Sequence, residues 1–153
     1  MDSELFFLRA SAFDGFCWII IVTVVLVFMV KVAGLDPLQM LLVGTVLEAT
    51  IFLFEIPTGI IADAVSRRLS VTIGHVLTGL GFLMLTLLPT FWMTVLSQII
   101  WGIGATFISG AYAAWLTDEV GVARSGGVFL RASQRGQMGG MIGIFASVGL
   151  AQV

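Results

Sequence analysis

Charged side chains are scarce in this sequence. They make up 10% of the 153 residues, whereas hydrophobic residues make up 59%. A water-soluble domain carries about 25% charged residues because its surface must be hydrated. The mean hydropathy of +1.11 points the same way. The composition therefore excludes an ordinary soluble domain and predicts a protein whose solvent is the lipid bilayer.

Residues that build disulfides, metal sites and nucleic-acid interfaces are also scarce. Cys17 is the single cysteine and His75 the single histidine. One cysteine cannot form an intrachain disulfide, and no metal-ligand spacing, phosphate-binding glycine loop or nucleophile motif occurs. Seven basic residues accompany nine acidic ones, which leaves no basic patch for nucleic acid. We therefore expect no cofactor, no metal site, no nucleic-acid partner and no enzyme activity.

Long uncharged stretches are what the sequence has in abundance. Residues 69–117 carry no charge, which is more than twice the roughly 20 residues that one spanning helix needs. Pro89-Thr90 divides this stretch. Earlier in the chain, the turn Gly34-Leu35-Asp36-Pro37 separates the first two apolar spans, and Pro37 is suited to a first helical turn. An all-α membrane protein with five transmembrane helices is predicted. The predicted spans cover residues 15–35, 38–62, 70–88, 91–116 and 136–153.

The positions of the basic residues predict the orientation of the chain in the membrane. With a cytoplasmic N-terminus, the inner segments hold six arginines and the outer segments hold only Lys31. This distribution obeys the positive-inside rule, so we expect a multi-pass protein of the plasma or inner membrane with its N-terminus in the cytoplasm.

The fifth span reaches Val153 without a polar exit segment. We therefore expect the sequence to be a fragment of a longer chain.

A charged motif joins the second and third spans. It consists of Gly59, Asp63, Arg67 and Arg68 in the pattern Gly-x3-Asp-x3-Arg-Arg, and it follows Glu55-Ile56-Pro57-Thr58. This motif resembles the signature loop of the major facilitator superfamily, and in particular the bacterial group that includes drug and tetracycline exporters. Ala64 and Ser66 depart from the usual basic residue and glycine of that loop.

The resemblance continues in the fourth span. Residues 97–105 are similar to the fourth-helix motif of the family, with Gln98 in place of the arginine implicated in proton coupling. Asp118, near the end of that helix, stands where an acidic residue commonly pairs with the loop arginines and locks the inner gate. The resemblance implies a twelve-helix transporter of two halves, of which this chain supplies most of the N-terminal six-helix half. It also implies proton-coupled efflux of small, often apolar molecules.

Three carboxylates are candidates for proton or ion coupling. Glu48 and Glu55 are seven residues apart on the second span, so they point within about 20° of one direction and lie roughly 10 Å apart along the axis. A carboxylate at membrane depth costs several kcal/mol unless it is paired or hydrated, which predicts that both face the bundle or a water-filled cavity. Asp14 either caps the first helix or lies at the mouth of the pathway.

Aromatic and small residues suggest a cavity and helix contacts. Trp18, Phe52 and Trp101, with Gln98, are candidates to line an apolar substrate cavity, although aromatic residues in membrane proteins often serve packing. Small residues recur at four-residue spacing in the fourth span and again in the fifth, and such stripes predict close helix packing. Their members are Gly102, Thr106, Gly110 and Ala114 in the fourth span and Gly136, Gly139, Gly140 and Gly143 in the fifth.

These features favour a secondary active transporter. Its predicted partners are the lipid bilayer, a small-molecule substrate, protons and the remaining half of the transporter. Two alternatives remain open, a membrane-embedded enzyme and a non-transporting scaffold or small channel. The first would need clustered catalytic groups and a channel would need a repeated filter, and the sequence displays neither.

Overall fold

The computed structural model describes residues 3–150, which form five α-helices. These are α1 (Ser3–Lys31), α2 (Pro37–Ala64), α3 (Arg67–Leu87), α4 (Phe91–Val120) and α5 (Val122–Leu150). The first four are long and apolar enough to cross a membrane. The predicted all-α membrane fold is confirmed. α5 is not among those four, and the last residues of its predicted span, 151–153, lie outside the described part of the chain.

The turn between α1 and α2 forms at the predicted residues. Gly34 has a positive φ of 65°, a conformation that glycine adopts without steric cost, and α1 ends just before it. Asp36 then caps α2. Its carboxylate accepts a hydrogen bond from the backbone N–H of Gln39, and the Gln39 side-chain oxygen accepts one from the backbone N–H of Asp36. Pro37 occupies the first turn of α2, as predicted. This reciprocal capping box fixes where α2 begins.

The remaining boundaries also follow from local chemistry. Ser66 caps α3 by accepting a hydrogen bond from the Leu69 amide, and Pro89 lies in the short break between α3 and α4, as predicted. The polar segment at residues 117–135 is helical except at Gly121, whose φ is 80°. The helices extend beyond several predicted spans, and α1 begins at Ser3 rather than near residue 15. The reason is that apolarity marks membrane depth, whereas intrahelical hydrogen bonds also form in polar segments.

The chain divides into two compact units. Among the described residues, one unit, called here the α1–α5 unit, holds residues 3–27 and 116–150, and the central unit holds Phe28–Trp115. In the α1–α5 unit the glycines of α5 lie directly against the backbone of α1. A Cβ on Gly139 would collide with the carbonyl oxygen of Ala12, and a Cβ on Gly143 would lie 2.8 Å from the carbonyl oxygen of Phe16. The two helices run parallel, because later glycines of α5 meet later residues of α1.

In the central unit, α4 contacts both α2 and α3 through glycine. A Cβ on Gly74 of α3 would lie 2.7 Å from the carbonyl oxygen of Gly104, and a Cβ on Gly81 would lie 2.9 Å from that of Ser97. On α2, Thr50 lies 3.1 Å from the Cβ position of Gly102. The predicted packing role of the α4 stripe is thus confirmed at Gly102. The contact between Gly74 and Gly104 joins two glycines that the stripe prediction did not include.

Large apolar side chains cover the outside of the helices. Phe52, Trp92 and Phe145 are 80%, 75% and 77% exposed. A soluble monomer rarely exposes large contiguous apolar patches. Together with the length and apolarity of α1–α4, this exposure is the pattern expected of helices whose outer surfaces contact lipid.

The α1–α5 contact predicts a strong effect of one added methyl group. We expect Gly139→Ala to destabilise the protein by about 1–3 kcal/mol, because the new Cβ collides with rigid backbone rather than with a flexible side chain. The measurement is the thermal unfolding midpoint in detergent.

Gly127→Ala is the matched control on the same helix. A Cβ at Gly127 meets no atom within 4 Å, and alanine favours a helix over glycine by about 1 kcal/mol. The control should therefore unfold at the same temperature as the wild type or higher. Equal losses in the two variants would refute the assignment of Gly139 to a tight contact.

Candidate functional site

The loop between α2 and α3 is organised around Arg67. The Arg67 Nη2 atom lies 3.5 Å from the Asp63 Oδ1 atom, one helical turn earlier in the chain. The Arg67 Nη1 atom also donates a hydrogen bond to the carbonyl oxygen of Ala114 on α4, at 3.4 Å. One guanidinium therefore ties the end of α2, the start of α3 and α4 together. Arginine suits this role because its planar fork presents several donors at once.

The other members of the predicted motif differ in their surroundings. Gly59 lies on α2 where that helix approaches α4, since its Cα is 3.7 Å from the Cβ position of Gly110. Arg68 and Asp63 are exposed. Asp118 is exposed near the end of α4. Its pairing with Arg67 or Arg68 remains a prediction.

The candidate coupling carboxylates of α2 are exposed. Glu48 and Glu55 both lie on the α2 surface and are not enclosed by residues 3–150. On a membrane-length helix, an exposed carboxylate requires water, a counter-charge or a proton. Pro57 lies two residues after Glu55 without ending the helix. The Thr58 hydroxyl donates to the carbonyl of Phe54 at 2.7 Å, which adds a side-chain bond to the backbone near the proline.

Asp14 does not cap α1. The helix begins at Ser3, so Asp14 lies well inside it, and the capping alternative is wrong. The acidic residue in the first turn is Glu4 instead. The Asp14 side chain is exposed.

The predicted cavity residues occupy different environments. Gln98 is 3% exposed on α4. Trp101 is half-buried and packs against Phe82 of α3, with ring centroids 5.4 Å apart. Phe52 projects from the surface of α2, and Trp18, which belongs to the α1–α5 unit, is also exposed. Trp101 therefore contributes to helix packing in the central unit.

Sequence reasoning missed two polar arrangements. In the α1–α5 unit, the Glu4 carboxylate pairs with Arg131 at 2.8 Å and with Arg124 at 3.3 Å. Helical periodicity gives no signal for this triad, because Glu4 and Arg124 are 120 residues apart in the sequence. In the central unit, the hydroxyls of Thr94 and Ser97 are buried and donate to carbonyls one turn earlier. These hydrogen bonds satisfy both hydroxyl groups within α4, so the hydroxyls can lie at membrane depth without water.

Comparison with known proteins finds similarity to a bacterial transporter. No family model matches the chain. The chain is 28% identical over 99 residues to an uncharacterized MFS-type transporter, YxaM, from Bacillus subtilis (strain 168), where MFS denotes the major facilitator superfamily. The match covers 65% of this chain and 25% of the relative, so the chain spans only about a quarter of that protein.

The similarity to YxaM extends over many more residues than the loop motif. Its name describes that protein as a transporter of the major facilitator superfamily. Four helices of membrane length are consistent with a multi-pass membrane protein. The similarity adds that the chain resembles an MFS-type transporter over 99 residues.

Proposed function

We propose that this chain is part of a secondary active transporter that exports a small, partly apolar molecule by alternating access, driven by protons. The observation that carries the proposal is the Arg67 contact to Asp63 and to the Ala114 carbonyl, in a loop with the family signature. Similarity to an MFS-type transporter supports it. The proposed location is the plasma or inner membrane, with a cytoplasmic N-terminus and with further helices completing the pathway.

The proposed gate consists of Gly59, Asp63, Arg67, Arg68 and Asp118. Arg67 contacts the exposed carboxylate of Asp63 and the backbone carbonyl of Ala114. Exposed ion pairs are worth about 0.2–1 kcal/mol each, which is weak enough to break and re-form during transport. In our proposal, Asp118 supplies the second carboxylate in the closed state of the gate.

The proposed proton carrier is Glu48, with Glu55 and Asp14 as secondary candidates. Glu48 lies 11 residues after the start of α2 at Pro37, or about 16 Å along the helix, near the middle of a bilayer core of about 30 Å. A carboxylate there is stable only with water, a counter-charge or a bound proton. Binding and release of a proton at this depth would couple the gradient to the substrate cycle.

The proposed substrate contacts are Trp18, Phe52, Gln98 and Trp101. The exposed Phe52 ring offers an apolar surface, and the buried Gln98 amide is a neutral polar group. Apolar sites with a few polar groups bind small organic molecules. This combination favours a partly apolar organic molecule over an inorganic ion.

The proposal predicts that substrate movement requires a proton gradient. We expect vesicles carrying the complete transporter to move a lipophilic fluorescent dye such as ethidium when the two sides differ in pH. Dissipation of the gradient with an ionophore should stop net transport. Dye fluorescence and a trapped pH indicator measure the two fluxes together. Dye flux that ignores the gradient would favour a channel, and no flux in either condition would favour a scaffold.

The proposed role of Glu48 predicts a specific uncoupling. In Glu48→Gln, gradient-driven dye transport should fall to the background of empty vesicles, because the amide cannot release a proton. Glu48→Asp keeps the carboxyl group and is the matched control, so it should retain proton-dependent transport. Unchanged coupling in Glu48→Gln would remove this residue from the mechanism.

The contacts of Arg67 predict that the two loop arginines are unequal. Arg67→Gln removes the ion pair with Asp63 and the charged donor to the Ala114 carbonyl, so we expect the initial transport rate to fall about two- to fivefold. Arg68→Gln is the matched control, because Arg68 is exposed and adjacent, and its loss should be smaller. Equal losses in the two variants, at equal protein levels, would show that total loop charge matters rather than the Arg67 contacts.

A further inference from the structure

A groove runs between α1 and α5 within the α1–α5 unit. Its volume is about 570 Å³, which lies within the range of about 300–1,000 Å³ typical of small-molecule sites. Its walls include Phe13 and Phe16 from α1 and Met138 and Ile142 from α5. Phe13, Met138 and Ile142 are each more than half exposed, so the groove is open along its length.

One charged residue interrupts this apolar lining. Arg135 lies at the groove, and it is the last charged residue of α5 before the uncharged stretch 136–150. The lining residues Met138 and Ile142 follow within that stretch. The uncharged part of α5 begins directly after Arg135. In such an order of residues, an arginine side chain can keep its charge among lipid headgroups while the residues that follow enter the hydrocarbon core.

The neighbouring arginines are engaged, whereas Arg135 is available. Arg124 and Arg131 both pair with Glu4. Within the part of the chain that the structure describes, Arg135 has no carboxylate partner. The Arg135 side chain is exposed. A guanidinium with free donors above an apolar groove complements a phosphate attached to a hydrocarbon chain.

We propose that this groove binds one anionic phospholipid. The headgroup phosphate accepts hydrogen bonds from Arg135, and an acyl chain lies along Phe13, Phe16, Met138 and Ile142. The apolar length of the groove argues against a free phosphate, which would use only the arginine. This site goes beyond the proposed transport and does not depend on it.

A lipid in this groove would contact both helices of the α1–α5 seam. The groove borders Gly139, where α5 lies against the α1 backbone. Apolar helices in a membrane associate through packing contacts rather than through the hydrophobic effect. A lipid that touches both α1 and α5 would add such contacts on the open side of the seam. The lipid would therefore stabilise the α1–α5 contact without altering the glycines.

The test is lipid binding to the purified full chain. The chain is titrated in detergent with phosphatidylglycerol or with phosphatidylcholine, and bound lipid is counted by native mass spectrometry. We expect tighter binding of phosphatidylglycerol. Arg135→Gln should weaken it about fivefold, as expected for one arginine near a lipid surface, and should remove the preference. Arg135→Lys should keep most of the preference, because the positive charge remains.

Arg9→Gln is the matched control. Arg9 is an exposed arginine of the same unit that does not line the groove. It should leave binding unchanged, while circular dichroism checks that each variant keeps its helices. Equal weakening by Arg9→Gln and Arg135→Gln would overturn the proposal, because it would indicate attraction by total charge. Equal binding of the two lipids by the wild type would overturn it as well.

A second measurement identifies the occupant. The photoreactive residue benzoylphenylalanine replaces Met138, and the protein is illuminated in vesicles containing phosphatidylglycerol. A lipid adduct whose yield falls in Arg135→Gln supports the site. A protein adduct of twice the chain mass would assign the groove to a second copy and overturn the proposal. Binding of inorganic phosphate with the same dependence on Arg135, and without a lipid adduct, would also overturn it.

Discussion

Close contact between helix backbones is the interaction on which the rest of this structure depends. In lipid, apolar helices have no hydrophobic reason to associate, so they need surfaces that fit. Gly139 against Ala12 provides such a surface in the α1–α5 unit, and Gly74 against Gly104 provides one in the central unit. Each contact brings backbone within van der Waals reach of backbone. The loop contacts of Arg67 and the groove beside Gly139 are both built on helices held in this way.

The few charges of the chain have distinct roles because each one is expensive to place near lipid. Arg67 links three helix segments through Asp63 and the Ala114 carbonyl, and Glu4 brings together two arginines of α5. The charged groups in these contacts are partly exposed, so water can also solvate them. Glu48 and Glu55 differ from them, since they lie along a helix of membrane length. Their position requires water, a counter-charge or a proton, and that requirement connects the structure to the proposed coupling.

Much of the fold could be predicted from the sequence. The scarcity of charge and the long apolar runs predict membrane helices, and the turn chemistry of Gly34, Asp36 and Pro37 predicts where α2 begins. The site was less predictable. The signature spacing singled out Arg67, but not its hydrogen bond to Ala114, which is 47 residues away. Asp14 looked like a helix cap because the apolar run starts beside it, yet α1 begins at Ser3.

The sequence by itself determined the solvent, the helical class and the main breaks between helices, because these depend on hydropathy and on turn residues within a few positions of one another. Only the tertiary structure decided which helices meet and which side chains find partners. The small-residue stripes marked surfaces able to pack, but not that Gly102 meets Thr50 or that Gly139 meets Ala12. Such pairings require shape and charge to match between segments far apart in the chain, and no local pattern encodes that match.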